Sequence, residues 1–477
     1  MPSWTYFLLA LFGLLIGYFV YGRLMDRVFG ADPTRRTPVC TLADGIDYVE
    51  MTPTRIFLIQ LMNIAGPGPV FGPILGALYG PIALIWIVIG SVFAGAVHDY
   101  FSGMLSLRYM GKSLPDVVGA TLGGFVRKAM RVFSVILLLL VGVVFVSGPA
   151  GLLSSLTGVD GMLLVGFIFC YYFCATLLPI DKFIGRLYPF FALLLIIMAF
   201  SLLYALFSQN YTLYPTLHFQ DADASGLPWW PLVFITIACG ACSGFHATQS
   251  PMMARCINNE RHGRFVFYGA MIAEGVLGLI WATLGMSFYP DVAALNDALG
   301  PDNNAVLVVN EIAVELLGAW GGTLAILGVV VLPITTGDTA FRSVRLTIAD
   351  ALRLDQRPLS NRLKIAVPLL AVGVALTIVP FGMLWNYFGL ANQIMASIML
   401  WTAAAYLIRR RRCHWVATVP AMFMTTVCVT YILFDATMGM ELSSGTATGL
   451  GVLVSLLCLG LLLGPGRSLN QEENPLA

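Results

Sequence analysis

The chain is organised as a series of long apolar runs separated by short polar segments. A helix that crosses a membrane needs about 20 predominantly apolar residues. Runs that meet this test, with limits placed at Gly, Pro and charged clusters, are 4–20, 52–79, 81–107, 128–147, 162–180, 187–208, 229–255, 265–289, 316–336, 364–380, 385–407, 414–434 and 445–464. The pattern predicts an all-α integral membrane protein with about 13 transmembrane helices.

Composition and charge agree with this interpretation. Apolar residues make up 58% of the chain and charged residues only 11%, whereas about 25% of a soluble domain is charged. The net charge of +1 argues against a nucleic-acid partner.

The basic residues also follow the predicted spans. With this count of spans, all 26 Lys and Arg, from Arg23 to Arg467 and including Lys182, fall on one side. The opposite loops, 148–161, 209–228, 290–315 and 435–444, contain acidic residues but no Lys or Arg. Positively charged loops face the cytoplasm, so we expect the N-terminus outside and the C-terminus in the cytoplasm.

Two of the spans contain sequences that interrupt a helix. Span 52–79 includes Ala65-Gly66-Pro67-Gly68-Pro69, and span 229–255 includes a Gly-rich stretch from Cys239 to His246, followed by Pro251. Proline removes a backbone donor and clashes with the preceding turn. Irregular backbone at membrane depth is tolerated where it is buried in protein or lines a cavity. The alternative is that Gly and Pro are simply frequent in membrane helices.

The two broken spans occupy corresponding positions. Each opens a group of five spans, 52–208 and 229–407, and because five is odd the groups enter the membrane from opposite faces. Interrupted helices at matching places in inverted repeats are typical of a transporter binding site. The layout is similar to a LeuT-like 5+5 inverted-repeat core, preceded by a helix and loop in 1–51 and followed by two helices and a tail in 414–477.

Five stretches of the chain resemble the short form of the carbon starvation (CstA) family of bacterial transporters. They read GPGPVFGPILGALYGP from Gly66, WIVIGSVFAGAVHDYFSGMLSLRYMGKSLPDVVG from Trp86, ACGACSGFHATQSPMMARC from Ala238, PITTGDTAFRSVRLTIAD from Pro333 and FGLANQIMASI from Phe388. The resemblance implies a bacterial cytoplasmic membrane protein that takes up short peptides or pyruvate with H⁺ or Na⁺ under carbon limitation. One departure is Pro67, where the family pattern has Thr, so a cation contact from that hydroxyl is lost.

The predicted substrate site consists of the two breaks and nearby neutral hydrogen-bonding side chains. Its members are Gln60, Asn63, Gly66, Pro67, Gly68, Pro69, Ser243, Gly244, His246, Gln249, Asn392 and Gln393. A substrate carboxylate would be attracted to the N-terminal end of the half-helix after Pro69. The alternative for the amides is that they join helices, and for His246 that it bonds a freed carbonyl.

The candidates for cation or proton coupling are polar residues at membrane depth, where ionisable side chains are costly and are candidates for function by default. They are His98, Asp99, Glu274, Thr335, Thr336 and Asp338. Adjacent helical residues point about 100° apart, so His98 and Asp99 are not expected to pair. Each acid also has a structural alternative: Asp99 a bond to a neighbouring helix, Glu274 a bond to an inner arginine, and Asp338 an ion pair with Arg342 at i, i+4. By analogy with LeuT-like folds, Thr335, Thr336 and Asp338 could also hold sodium near the first break.

Other classes of function lack their motifs. There is no P-loop to bind ATP, no hydrolase motif that would indicate an enzyme, and the C-x-x-C of Cys239 and Cys242 has no second pair to complete a metal site. No cofactor or protein partner is expected. The sequence predicts a cation-coupled symporter that imports a small nutrient by alternating access. The alternative is a membrane nutrient sensor that binds its ligand without transporting it.

Overall fold

A computed structural model describes residues 3–177, 184–213, 228–300, 303–379, 381–435 and 440–464. Lys182 and Arg467, two of the basic residues used for orientation, lie outside these ranges, as does the tail from residue 465. The first ten helices are α1 Ser3–Ile16, α2 Gly22–Phe29, α3 Pro38–Leu42, α4 Pro53–Ile64, α5 Gly68–Gly76, α6 Ile82–Gly90, α7 Ala96–Arg108, α8 Leu114–Leu122, α9 Gly124–Thr157 and α10 Gly161–Leu177. The remaining ten are α11 Ile184–Ser208, α12 Trp229–Thr236, α13 His246–Ala254, α14 Gly269–Phe288, α15 Val292–Leu299, α16 Ala305–Leu352, α17 Leu359–Leu376, α18 Phe381–Arg409, α19 Trp415–Phe434 and α20 Ser444–Leu463.

Within the described ranges, nine helical segments are long and apolar enough to cross a membrane, or ten when the bent pair α4–α5 counts as one span. The longer segments include α1–α2 and α6–α7, each joined through a short π-helical turn. The other runs expected to span are α10, which has 17 residues, the interrupted pair α12–α13, and the part of α16 after a kink at Gly318. Thirteen spans therefore remain a prediction, whereas a multi-pass helical membrane protein is confirmed.

Both predicted breaks are present in the structure. Helix α4 ends at Ile64 and α5 begins at Gly68, with a bend of 52° between them. Helix α12 ends at Thr236 and α13 begins at His246, so residues 237–245 cross this region without regular helix. Pro67 and Pro69 explain the first break because neither can donate to a continuing helix.

The two breaks lie against each other. A Cβ atom placed on Gly68 would overlap the Cys239 side chain, and Gly240, which has a φ of +88°, lies beside Pro69. Glycine is needed at both positions, at the first for close approach and at the second for its left-handed backbone. Helix α4 packs against α13, and α5 packs against α12.

Candidate functional site

Three ionisable side chains from three helices meet beside the second break. His246 Nδ1 lies 2.9 Å from Asp99 Oδ2, and His246 Nε2 lies 3.4 Å from Glu274 Oε2. Asp99 belongs to α7, His246 is the first residue of α13, and Glu274 belongs to α14. All three side chains are fully buried. Ionisable groups at this depth are energetically costly unless they pair or bind hydrogen-bonding partners, and they mark proton and ion pathways.

Glu274 connects this cluster, Asp99–His246–Glu274, to the unwound backbone. Its Oε1 accepts a hydrogen bond from the Gly240 amide at 3.1 Å, while its Oε2 faces His246. Ser91 donates to the Gly240 carbonyl at 2.9 Å. From the sequence, Glu274 is expected to be either a lone carboxyl or a partner of an inner arginine. In the structure, Glu274 lies between the broken helix and His246. A change in the charge of Glu274 would therefore act directly on the break.

The expectation that His98 and Asp99 do not pair is wrong. His98 Nδ1 lies 2.7 Å from Asp99 Oδ1, so the carboxylate contacts one imidazole with each oxygen. The 100° rule concerns the directions of Cα–Cβ bonds. An imidazole reaches far enough beyond Cβ to turn back onto a neighbouring carboxylate.

Asn392 braces the second break. Its Oδ1 accepts from the Phe245 amide at 2.6 Å and from Ser243 Oγ at 3.1 Å. A Cβ on Gly244 would overlap the Asn392 carbonyl, so the two backbones are in close contact. The Asn392 side chain therefore joins α18 to the second break, which is the alternative given above for the amides. It replaces hydrogen bonds that a continuous helix would otherwise supply.

Two amide side chains just before the first break have no hydrogen-bond partners among the described residues. Gln60 and Asn63 are fully buried one turn apart in α4, and neither the oxygen nor the nitrogen of either amide has a hydrogen-bond partner in the described part of the chain. The Gln393 side-chain oxygen also has no hydrogen-bond partner among these residues, although the side-chain nitrogen donates to the Phe234 carbonyl at 3.3 Å. Buried polar groups without partners are rare and call for an explanation such as a ligand or a water molecule.

Asp338 forms a second buried acidic site, separate from the first. Its Oδ2 accepts from Tyr188 Oη at 2.6 Å and from Tyr171 Oη at 3.0 Å. Thr336 donates to the Met62 carbonyl at 3.2 Å, which joins this part of α16 to the helix before the first break. Thr335 is also buried, and its carbonyl lies 2.7 Å from the Tyr188 hydroxyl, so this carbonyl and Asp338 share the single proton of that hydroxyl. Arg342, the local partner considered from the sequence, lies 3.1 Å from Asp47 of the loop before α4.

One set of side chains has the spacing of a metal site. Ligand atoms of Cys239, His246 and Glu274 all lie within 4.8 Å of one another. The Cys239 thiol donates to Ser243 Oγ at 3.3 Å, and the other two residues make the contacts described above. The spacing of three ligand atoms does not by itself establish a bound ion, so we assign no metal to it.

Several residues of these sites were not identified from the sequence. Tyr171 and Tyr188 lie in apolar spans, where an aromatic residue is interpreted as packing. The sequence singles out Gly240 only as part of the break, and Cys239 only as part of the break and of an incomplete C-x-x-C motif. Gln249 was a substrate candidate, but its amide contacts Thr248 and Ser343. The hydroxyl of a tyrosine in a span is the one signal that could have indicated the partners of Asp338.

Known proteins resemble this chain over most of its length. The fold is similar to a mutant of the Eremococcus coleocola manganese transporter, with a TM-score of 0.48, 14% identity and coverage of 90% of this chain and 93% of that one. An uncharacterized membrane protein of Haemophilus influenzae is 46% identical over 62% of this chain and 94% of its own length.

Relatives that carry names are transporters rather than enzymes. The Escherichia coli peptide transporter CstA is 27% identical, covering 87% of this chain and 78% of its own. The Escherichia coli pyruvate/proton symporter BtsT is 26% identical, covering 56% of this chain and 46% of its own. The family model of carbon starvation protein CstA matches residues 3–155, 148–316 and 304–431, which together span most of the sequence. The chain therefore belongs to the CstA family.

Proposed function

We propose that the protein is a secondary active transporter that imports a small nutrient together with a cation across the bacterial cytoplasmic membrane. The observation that carries this proposal is the position of His246 between Asp99 and Glu274, fully buried and beside unwound backbone. Helices broken at membrane depth are where transporters of this general design hold substrate and ions. The N-terminus lies outside and the C-terminus inside, in line with the segregation of Lys and Arg.

The cluster Asp99–His246–Glu274 couples a proton to the break. Histidine and carboxylic acids can both gain or lose a proton within the biological pH range when their surroundings shift their pKa values. Since Glu274 also holds the Gly240 amide, adding a proton to this carboxyl removes a charged acceptor from the broken helix. The backbone at residues 237–245 then responds to protonation, which is what coupling requires.

Two inverted five-helix repeats form the core of the transporter. Support comes from helix packing that is reciprocal between 52–208 and 229–407. Helix α5 packs against α14 as α13 packs against α7, and α11 packs against α16 as α18 packs against α9. Helices α9 and α16, the third of each group, pack against each other, as do α10 and α17. Contacts that repeat when the two halves are exchanged are the signature of a two-fold axis. Alternating access then follows as rocking of one set of helices against the other.

The substrate binds between the breaks, where Gln60 and Asn63 supply unused donors and acceptors. Amide groups pair well with a peptide bond or a carboxylate because they offer both hydrogen-bonding roles. The relatives named as a peptide transporter and a pyruvate/proton symporter make short peptides or pyruvate the substrates to test first. A proton is the preferred coupling ion, and sodium held by Thr335, Thr336 and Asp338 is the competing choice.

Uptake into proteoliposomes tests this function. Purified protein is reconstituted and given labelled dipeptide or labelled pyruvate under an imposed pH gradient, an imposed sodium gradient, or neither. We expect accumulation of one substrate with the outside acidic and no added effect of sodium. Accumulation driven by sodium alone would transfer coupling to the Asp338 site. Saturable binding without any uptake would favour a nutrient sensor.

A further inference from the structure

Asp47 is a buried carboxylate in the loop before α4, outside the predicted spans. Its Oδ1 lies 3.1 Å from Arg342 Nη1 and 3.5 Å from Arg345 Nη2, and both arginines are fully buried in α16. Burial raises the pKa of Asp47, but Arg345 and Arg342 outweigh it and hold that pKa below its usual range. The carboxylate is therefore charged at neutral pH and joins the loop to α16.

The loop is shaped to present this carboxylate. Asp44 Oδ1 accepts hydrogen bonds from the amides of Ile46, Asp47 and Tyr48, at 2.8, 3.0 and 2.9 Å. Tyr48 donates to the Met110 carbonyl at 3.1 Å, and the Arg255 guanidinium lies 5.1 Å from the centre of the Tyr48 ring. Residues 44–48 thus connect α16, the end of α13 and the turn after α7 on the Lys- and Arg-rich side of the protein.

One of the arginines beside this loop is only partly hydrogen-bonded. Arg255, Arg342, Arg345 and Arg362 interact electrostatically here, and the neighbouring acids are Asp44, Asp47, Asp338 and Asp350. Nε and Nη2 of Arg345 have no hydrogen-bond partner among the described residues, and neither has Asp47 Oδ2. The loop carboxylate consequently satisfies only part of a site that could bind an anion through two oxygens.

One hydrogen bond joins the helix of the histidine to the helix of the arginines. Gln249 lies one turn after His246 in α13, and its Oε1 accepts from Ser343 Oγ at 3.3 Å. Ser343 directly follows Arg342 in α16.

We propose that Arg342 and Arg345 form a binding site for a carboxylate anion, and that Asp47 occupies it as a tethered ligand. Residues 44–48 then act as a clasp that closes the basic face of the protein while Asp47 is bound. When the clasp opens, the same arginines exchange Asp47 for the carboxylate of a soluble ligand. The site differs from the substrate site between the breaks in position and in charge.

A native cysteine reports on the clasp. Cys256 is fully buried, and its thiol lies 3.8 Å from the Asp47 carbonyl and 3.5 Å from the Met252 carbonyl. Movement of residues 44–48 would expose it to a maleimide reagent. Cys428 in α19 is also buried and serves as an internal control for general loosening of the fold.

The test is the rate at which N-ethylmaleimide modifies each cysteine in the full-length protein, measured by peptide mass spectrometry. In Asp47→Ala, we expect N-ethylmaleimide to modify Cys256 about tenfold faster or more. Removing one partner of a buried ion pair strongly destabilises the packed arrangement, so residues 44–48 should leave the thiol exposed more often. Acetate at tens of millimolar should restore protection, whereas chloride at equal ionic strength should not. The double variant Asp47→Ala/Arg345→Gln should show no acetate effect. Asp116→Ala, which removes a carboxylate 2.6 Å from Arg131, should leave Cys256 protected.

Two results would overturn the proposal. Unchanged labelling of Cys256 in Asp47→Ala would mean that the loop is not a clasp, and equal effects of acetate and chloride would mean that the arginines are not a carboxylate site. If Asp47→Ala also exposes Cys428, the same measurement is made on Arg345→Gln instead. Arg345→Gln should speed the labelling of Cys256 by a smaller factor than Asp47→Ala while Cys428 stays protected. Unchanged labelling of Cys256 would again count against the clasp. None of these readouts depends on transport.

Discussion

Nε2 of His246 and Oε2 of Glu274 lie 3.4 Å apart, and neither atom has a hydrogen-bond partner among the described residues. The separation is slightly longer than a good hydrogen bond, so a small shift of α13 against α14 would close or open it. Each residue is otherwise fixed, His246 by Asp99 and Glu274 by the Gly240 amide. The pair is thus a contact whose strength depends on both protonation and the position of the broken helix.

Replacing Asp99 should destabilise the protein as well as stop transport. Its two oxygens face His98 at 2.7 Å and His246 at 2.9 Å, all at full burial. Asp99→Asn removes the charge that pairs with the imidazoles, and breaking a buried ion pair costs about 3 kcal/mol or more. We expect a lower melting temperature in detergent together with loss of uptake. Asp297→Asn, at an exposed position of α15, is the control, and equal melting of Asp99→Asn and the parent protein would contradict the assignment.

Substitution of the buried amides Gln60 and Asn63 should weaken substrate binding without a large loss of stability. Gln60→Ala and Asn63→Ala remove side chains that have no hydrogen bonds in the described structure, so no bond is lost on substitution. We expect a change in stability within about 1 kcal/mol and a KM for uptake raised by about tenfold, as for loss of a hydrogen bond to a charged ligand. Melting curves and uptake kinetics measure the two effects.

Asn392→Ala is the matched comparison, since this amide braces Ser243 and Phe245. It should lower stability by about 2 kcal/mol because a buried donor is left without its acceptor. If Gln60→Ala proved as destabilising as Asn392→Ala while leaving KM unchanged, the α4 amides would be structural rather than part of the substrate site.

The stabilising effect of Asp47 should disappear in acid. Its charged neighbours are Arg342 and Arg345 of α16 and Arg255 after α13, which hold its pKa below that of a free aspartate. The ion pairs therefore stabilise the fold fully above about pH 4 and lose their effect as the pH falls through the lowered pKa. We expect Asp47→Asn to melt below the parent protein at pH 7, with the difference narrowing below about pH 4. A difference that does not change over this range would show that the Asp47 charge is not responsible.

The breaks could be predicted from the sequence because their cause is local. Pro67 and Pro69 close together, and the run of glycines near Cys239, weaken regular helix through local effects on the backbone, so the pattern indicates both interruptions without knowledge of the fold. The identity of Asp99, His246 and Glu274 as candidates also followed from local properties, since each is ionisable within an apolar run.

The contacts among these residues could not be predicted in the same way. Asp99 and His246 are 147 positions apart, and only the packing of α7 against α13 brings them together. Likewise, Asp338 was considered with Arg342 because the two share a helix, yet its observed donors are Tyr188 and Tyr171 from other helices. The wrong expectation for His98 and Asp99 shows that the direction of the Cα–Cβ bond on a helix does not by itself fix the position of the side chain's terminal atoms.

The central claim is that the cluster beside the second break carries the proton that drives uptake. The most direct measurement compares the parent protein with Glu274→Gln in proteoliposomes, following labelled substrate and internal pH together when the outside is made acidic. We expect the parent to accumulate substrate with a matching entry of protons. Glu274→Gln should lose about 100-fold of this driven uptake, the scale of removing an essential proton-transfer group, while still exchanging substrate across the membrane without a gradient. Glu315→Gln, an exposed position of α16, should behave like the parent. Full proton-driven accumulation by Glu274→Gln would contradict the claim.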